Sequence, residues 1–497
     1  MKQLVKGSSA LTAVSVGEMA MRFVRTKCIA LFLGPSGTGF LAQLTIFFEL
    51  LRVWGDLGSR RGVIKQIAEQ RQKGRESDRY GEIIKTSYFL AIAASGLTGF
   101  IVTLFSPAIS QSLYGTTSHS LYIISLALLL PLASVSTVTA SVLKGNLEYM
   151  SFTKYTILSY LAVMAVTPFI IYFMHYWGAV LVQGLFFIFP LAGYLVFNSR
   201  SRFLVFSKKI NFGAMKEQFS YGFVQIYQDS MTQVARVLIA AWIVKSLGLP
   251  MMGIYQVVIT FSTVYMAIPI QAMSGYALPL IAAAESSREI TRAINDSLRF
   301  LMFLLVPLIL FMMIWPEGFI YLFFSKDFLS AAVPLQIQLL GTLFLLAGFP
   351  FGVALQARGQ LKALLLTATL NPVLYIVLSW FLFDTGQLTG IAAAYCVTNV
   401  VTTGVQYFLL RHYYGMHLVP KNQRLLISTA VWAVLAFAAG AVLDLWALRV
   451  LASLMVIPWF LVSSKKHERE FLASKWNDLK EFKKNFGGKS ILKSLRL

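Results

Sequence analysis

Residues 8–58 read SSALTAVSVGEMAMRFVRTKCIALFLGPSGTGFLAQLTIFFELLRVWGDLG. Two apolar runs, 8–33 and 38–58, flank a Gly34-Pro35-Ser36-Gly37 break. An α-helix needs about 20 mostly apolar residues to cross a hydrocarbon core of roughly 30 Å, and each run is long enough. The runs are continuous, not ten-residue alternations, so they read as helices and not as barrel strands. The same reading continues down the chain at 83–106, 120–143, 155–174, 178–197, 219–247, 253–283, 298–315, 333–356, 362–383, 389–410, 425–444 and 447–463. The fold expected is an all-α polytopic membrane protein of about fourteen transmembrane helices. Composition agrees: 57% of the 497 residues are apolar and 13% charged, whereas a soluble chain is about a quarter charged. Cys28 and Cys396 both sit in apolar stretches, which excludes a disulfide framework or a zinc site. No small-residue cleavage site follows a short apolar core at the N-terminus, so the first helix is expected to be retained.

The loops give the orientation. The net charge is +22. With fourteen spans both termini share a side, and 34 of the 43 Lys and Arg residues fall there. Only Lys245, Lys326 and Arg449 lie on the other side, and six basic residues lie within spans. Positive loops stay in the cytoplasm, so a multi-pass protein of the bacterial inner membrane with both termini cytoplasmic is expected. The basic excess is topology, not nucleic-acid binding, since no soluble domain is present to carry a recognition element. The longest loop on the outer side is about 107–119, short for an enzyme acting on large external substrates.

The chain repeats itself at an offset of 214. Leu33-Gly34 with Gly39-Phe40 becomes Leu247-Gly248 with Gly253-Ile254, and Lys144-Gly145-Asn146-Leu147 becomes Arg358-Gly359-Gln360-Leu361. Arg22 becomes Arg236. Six spans per unit gives two copies of the same orientation, related by an axis along the membrane normal. The expected organisation is residues 1–210, 211–420, spans thirteen and fourteen over 421–463, and a tail over 464–497. That tail places Leu472, Trp476, Leu479, Phe482 and Phe486 at helical spacing among basic residues, the pattern of an amphipathic helix on anionic lipid or against a partner.

Ionisable residues at membrane depth are costly and face a bundle interior or a watery cavity. The first span carries Glu18, Arg22, Arg25 and Lys27, the second Glu49, Arg52 and Asp56, the third Lys85, and the seventh Asp229 and Arg236. If the first span enters the core near residue 10, Arg22 lies about 18 Å deep at 1.5 Å per residue. Glu18–Arg22 and Arg52–Asp56 also have the spacing of plain i,i+4 ion pairs, and Lys27 and Lys85 can snorkel to an interface. Six basic groups against four acidic ones make a net cationic cavity, suited to an anion and above all to phosphate, which arginine grips with a planar fork. GPSGTG at 34–39 lacks the Lys-Ser/Thr of a phosphate loop and reads as a turn. The five histidines fall in loops without ligand spacing, so no metal is expected, and no nucleotide motif exists to power transport. Pro131, Pro168, Pro190, Pro269, Pro279, Pro307, Pro350 and Pro372 fall within spans and can kink them.

GSSALTAV, LGPSGTGF and ELLRVWGDLGSRRGVIKQIAEQ near the N-terminus resemble the start of the bacterial Wzx polysaccharide (O-antigen) flippases, in the superfamily that also holds the multidrug and toxin extruders and the lipid II flippase. PAISQSLYG, SVLKGNLEYMSFTKY, YALPLIAAAESSREITRAINDSLRF and FFSKDFLSAAVPLQIQLLGTLF sit where that family has similar stretches. The resemblance covers most of residues 1–463. It implies two six-helix lobes in a V with two extra helices, and transfer of an undecaprenyl-diphosphate-linked oligosaccharide to the periplasmic leaflet by alternating access. It implies no enzymatic activity and no cofactor. It maps substrate-lining arginines onto Arg22, Arg25, Arg52 and Arg236, with Lys27 beside them; the eighth span has no arginine, a departure from the pattern. Coupling to H+ or Na+ would fall to Glu18, Glu49, Asp56 or Asp229. Partners implied are the lipid-linked glycan, membrane lipids and polysaccharide polymerase machinery. Open alternatives are a lipid II flippase, a drug or cation extruder, and, from another class, a membrane glycan polymerase or ligase.

Overall fold

In a computed structural model the described residues are 2–57, 59–71, 78–201, 204–205, 207, 209–442, 449–450, 453–454 and 459. The elements are α1 (Lys2–Asp56), α2 (Ser59–Arg71), α3 (Asp78–Leu104), α4 (Ser106–Tyr114), α5 (Ser120–Gly145), α6 (Tyr149–Ser201) and α7 (Phe212–Ile259). A π-helical turn (Thr260–Val264) leads to α8 (Tyr265–Ala282), then α9 (Ser287–Ile314), α10 (Pro316–Phe323), a 3-10 turn (Lys326–Ala331), α11 (Ala332–Ala357), α12 (Leu361–Gly386), α13 (Leu388–Tyr414) and α14 (Pro420–Val442). Among the described residues no strand occurs, and ten helical segments are long and apolar enough to cross a membrane.

Three of those ten are two spans each. α1 breaks at Gly34 (φ 63°, ψ −165°), α6 at His175 (φ 48°, ψ −121°) and α7 at Gly248 (φ 85°, ψ 171°). Thirteen of the fourteen expected spans are thus present among the described residues. The fourteenth, at 447–463, and the tail helix of 464–497 lie largely or wholly outside them. GPSGTG is the turn it was read to be: Gly34 takes the left-handed φ that only glycine adopts without strain, and Thr38 donates to the Gly34 carbonyl at 2.9 Å. Every in-span proline named above lies inside a helix.

The chain forms two compact units, Met1–Leu301 with Pro316–His417, and Met302–Trp315 with Leu418–Leu497. The second is anchored by Trp459, which is fully buried, packs its ring 5.8 Å from Phe303 and donates to Thr429 at 3.1 Å; Trp315 donates to Ser453 at 2.7 Å.

The landmarks that repeat all lie in the first unit. Gly34 and Gly248 break their helices 214 residues apart, as the sequence offset demands. Later landmarks fall two residues short of that offset. Leu147 (φ 58°) matches Gly359 (φ 64°), and His175 (φ 48°) matches Gln387 (φ 50°). Each of the latter pair closes a hairpin whose following glycine sits against main chain: a Cβ on Gly178 would lie 2.3 Å from the Ile170 oxygen, and one on Gly390 1.9 Å from the Leu382 oxygen. The Lys144–Leu147 and Arg358–Leu361 match is therefore real as a turn but two residues out of register. The second copy is shorter between its first hairpin and its fourth span.

Some elements have no counterpart in the linear reading. α4, α10 and the π-helical turn are additional, and residues 59–71, read as a charged loop, form α2. Val63, Gln66, Ile67 and Gln70 are buried on one face of α2, which packs on α5 and α7. Helical spacing of those four was masked because two of them are polar glutamines and charged Lys65 and Glu69 lie among them.

Candidate functional site

The two arms of α1 bring the charged residues together. Arg22 pairs with Glu18 at 2.8 Å, and Arg52 pairs with Glu49 at 3.1 Å. Asp56 reaches Arg60, at 3.5 Å, and not Arg52 as the i,i+4 spacing suggested. Arg52 Nη1 donates to both Glu49 oxygens, at 3.2 and 3.1 Å. Arg22 and Glu49 interact across the two arms, as do Glu18 and Arg52. Arg25 lies within the field of Arg22 and Glu49 and makes no salt bridge among the described residues; its Nε is buried without a hydrogen-bond partner. Three guanidiniums therefore face two carboxylates, which leaves one positive charge.

α6 supplies the walls. Phe187 lies 5.2 Å from the Arg52 guanidinium and Phe186 6.0 Å from that of Arg22, distances at which a ring face attracts a cation. Tyr160 stacks on Phe186 at 5.4 Å. Although they lie deep in the bundle, the Arg22 and Glu18 side chains keep 39% and 34% of their accessible surface.

The remaining predicted residues lie elsewhere. Lys27 donates to the carbonyls of Tyr321, at 3.0 Å, and of Phe324, so it ties the first span to the end of α10. Lys85 is half-buried on α3. Asp229 on α7 accepts from Gln225 at 2.8 Å. Arg236, two turns further along α7, opens on a separate cavity of about 190 Å³ formed by α7, the π-helical turn, α11, α12 and α13. Linear reading missed the amides and hydroxyls that line it, among them Gln338, Asn371 and Asn399. Uncharged polar residues inside apolar runs were the available signal.

α1, α2 and α3 contact α7 on either side of the cluster. At the basic end, Gln218 of α7 is fully buried and donates to Gln66 at 2.8 Å and to Ser87 at 2.9 Å. Gln66 in turn donates to Glu217 at 2.9 Å, Asn211 donates to Glu82 at 2.9 Å, and Trp54 donates to Ser230 at 3.1 Å. At the opposite end, α1 and α7 meet backbone to backbone through two glycines. A Cβ on Gly39 would lie 1.9 Å from the Leu249 oxygen, and one on Gly253 2.0 Å from the Pro35 oxygen. Adding 214 to 35 and 39 gives 249 and 253, so the two contacts exchange under the repeat. This is a local two-fold, built as small residues build close helix contacts in membranes.

The family model described as "Polysaccharide biosynthesis protein" matches residues 28–333. The lipid III flippase of Escherichia coli (strain K12) is 22% identical over 407 residues, covering 80% of this chain and 96% of that protein; the lipid III flippase of Shigella flexneri matches to the same extent. Among solved structures, a lipid II flippase in an inward closed conformation superposes with a TM-score of 0.72 at 13% identity, over 94% of this chain and 100% of that one. An inward-facing multidrug resistance transporter superposes with a TM-score of 0.68 at 14% identity, over 82% and 98%. The fold is thus that of the superfamily to which the resemblance pointed, and the relatives are transporters, not enzymes.

Proposed function

The chain belongs to the polysaccharide biosynthesis protein family, and from that premise we propose that it flips an undecaprenyl-diphosphate-linked oligosaccharide from the cytoplasmic to the periplasmic leaflet of the bacterial inner membrane. The observation that supports this reading is the net positive cluster of Arg22, Arg25 and Arg52 on the two arms of α1, where the Arg22 side chain keeps 39% of its accessible surface. A diphosphate cannot cross hydrocarbon unaided, because an isolated buried charge costs tens of kcal/mol by idealised solvation. A cleft lined by guanidinium forks replaces its water. The glycan stays in the wet interior and the prenyl chain stays in lipid.

Arg25 takes the diphosphate first, since no carboxylate among the described residues holds it in a salt bridge. Arg22 and Arg52 follow by exchanging Glu18 and Glu49 for phosphate oxygens. Arg236, in the second copy of the repeat, lines the path of the glycan and not of the diphosphate, and Lys27 and its carbonyl partners close the outer end. A carboxylate that loses its guanidinium away from water is stabilised by H+ or Na+, which couples substrate entry to an ion; Glu18 and Glu49 are best placed for this, with Asp56 and Asp229 nearer the basic end. The two six-span lobes, 1–210 and 211–420, rock about the Gly39–Gly253 contact, opening one end at a time. Basic loops facing the cytoplasm put the Gln66–Gln218 contact on the inner side.

The test is which lipid-linked glycan accumulates in a strain that lacks this protein. Accumulation of an undecaprenyl-diphosphate oligosaccharide, with loss of surface polymer, is expected. Accumulation of lipid II would assign the substrate of the related flippase instead. Normal surface polymer would overturn the reading.

A further inference from the structure

The Arg236 cavity has features the diphosphate cluster does not use. Its volume of about 190 Å³ exceeds the roughly 150 Å³ that accommodates a benzene ring in an engineered core, so it holds one six-membered ring. Arg236 is the only charged residue among those lining it, and no carboxylate pairs with it among the described residues. Tyr255, Tyr375 and Tyr395 form a wall, with Tyr375 and Tyr395 rings 5.9 Å apart.

The polar atoms of this wall are fixed. Ser262, in the π-helical turn, donates to the Val258 carbonyl at 2.6 Å, so its oxygen accepts from Gln338 Nε2 at 2.7 Å. That bond orients the amide and leaves Gln338 Oε1, on a residue 1% exposed, buried with no partner. Thr398, also 1% exposed, leaves its hydroxyl unpartnered on the same cavity. Asn371 spends its amide nitrogen on Thr402, at 3.1 Å, and retains its oxygen. An unsatisfied buried acceptor is costly, and a π-turn commonly marks a functional site.

The combination selects a ligand. The lone guanidinium asks for an anion, and Gln338 Oε1 asks for a donor on the same molecule. Halide and fully ionised phosphate have no donor to give, and a cation would face Arg236. We propose that this cavity binds one acidic pyranose, a uronate-type sugar of the transported glycan, with its carboxylate on Arg236, its hydroxyls on Gln338 and Thr398, and its ring against the tyrosines. The sugar's origin in the glycan rests on the flippase reading; the site itself does not. Arg236 then reads the glycan, while Arg22, Arg25 and Arg52 hold the diphosphate.

The experiment is calorimetric titration of the purified full-length protein in detergent with glucuronate, glucose, chloride and a disaccharide ending in glucuronate. Glucuronate should bind at least about tenfold more tightly than glucose, the lower end of what a charge-assisted hydrogen-bond pair contributes. Arg236→Gln should remove that preference. Arg236→Lys keeps the charge without the fork and should weaken glucuronate several-fold, which decides the matter if the glutamine variant does not fold. Gln338→Leu should weaken glucuronate and leave acetate unaffected. Equal binding of glucose, full competition by chloride, or unchanged affinity in the arginine variants would overturn the proposal. Failure of the disaccharide to compete would overturn the glycan as the source. An intact titration beside a strain with normal surface polymer would remove the transport reading alone; an accumulating lipid-linked glycan beside a silent titration would remove this site alone.

Discussion

Replacing Gly39 or Gly253 by alanine tests the close α1–α7 contact directly. The new Cβ would sit 1.9 Å from the Leu249 oxygen in the first case and 2.0 Å from the Pro35 oxygen in the second, and real Cβ contacts essentially never fall below 3.0 Å. Both obstacles are main chain, so no side chain can swing aside. The two helices must part by about 1 Å, and overpacking of this kind costs ~1–3 kcal/mol. A conformation open at that end of the helix pair lacks the contact and escapes the cost. The closed-to-open ratio should therefore fall by roughly 5- to 150-fold. Spin labels at Thr117 and Leu329, both exposed near that end and on different copies of the repeat, report the opening as a longer distance population in pulsed electron resonance. Each alanine variant should raise that population. The double variant should raise it little further, because both substitutions disrupt one interface. Unchanged distance distributions in folded Gly39→Ala and Gly253→Ala would refute the reasoning.

Arg22→Ala and Arg52→Ala should each abolish surface polysaccharide with the protein still in the membrane, and the lysine variants should restore it only in part, since lysine lacks the fork; immunoblotting beside polymer staining checks both. Gln218→Ala strips two buried bonds from the basic-end contact and should cost ~1–3 kcal/mol of closed state, read as faster thiol labelling of a cysteine placed at Ser230. Lys27→Met removes both carbonyl bonds to the end of α10 and should speed amide exchange at residues 321–325. His119 packs against Phe40, Tyr114 and Tyr122, and burial holds its pKa below the ordinary value. The folded protein then binds fewer protons than the unfolded chain. This stabilising contribution is complete above the unfolded value of about 6.5 and is lost as pH falls through it. His119→Phe should accordingly lose less melting temperature than the unsubstituted protein between about pH 7.5 and pH 5.

How much was legible follows from distance along the chain. Apolar runs of about 20 residues define spans whatever they pack against, so the helical membrane fold and the thirteen spans within the described residues could be read locally. The Gly34 and Gly248 breaks could be read because only glycine takes that φ cheaply. Glu18–Arg22 was local too, being one turn of one helix. Partner choice was not: Arg52 had Glu49 and Asp56 at equally good spacings, and the side-chain geometry on α1 gave it Glu49.

The linear order of residues determined a helical membrane protein, its doubled organisation and the charges it carries at depth, because hydropathy and helix periodicity act within one segment. Only the tertiary structure decided that Gly39 faces Gly253, that Gln218 of α7 donates to Gln66 of α2, and that Gln338, Thr398 and Arg236 share one cavity. Those contacts join residues from 60 to more than 200 positions apart. Which of them form depends on how whole helices pack, and no single segment carries that information.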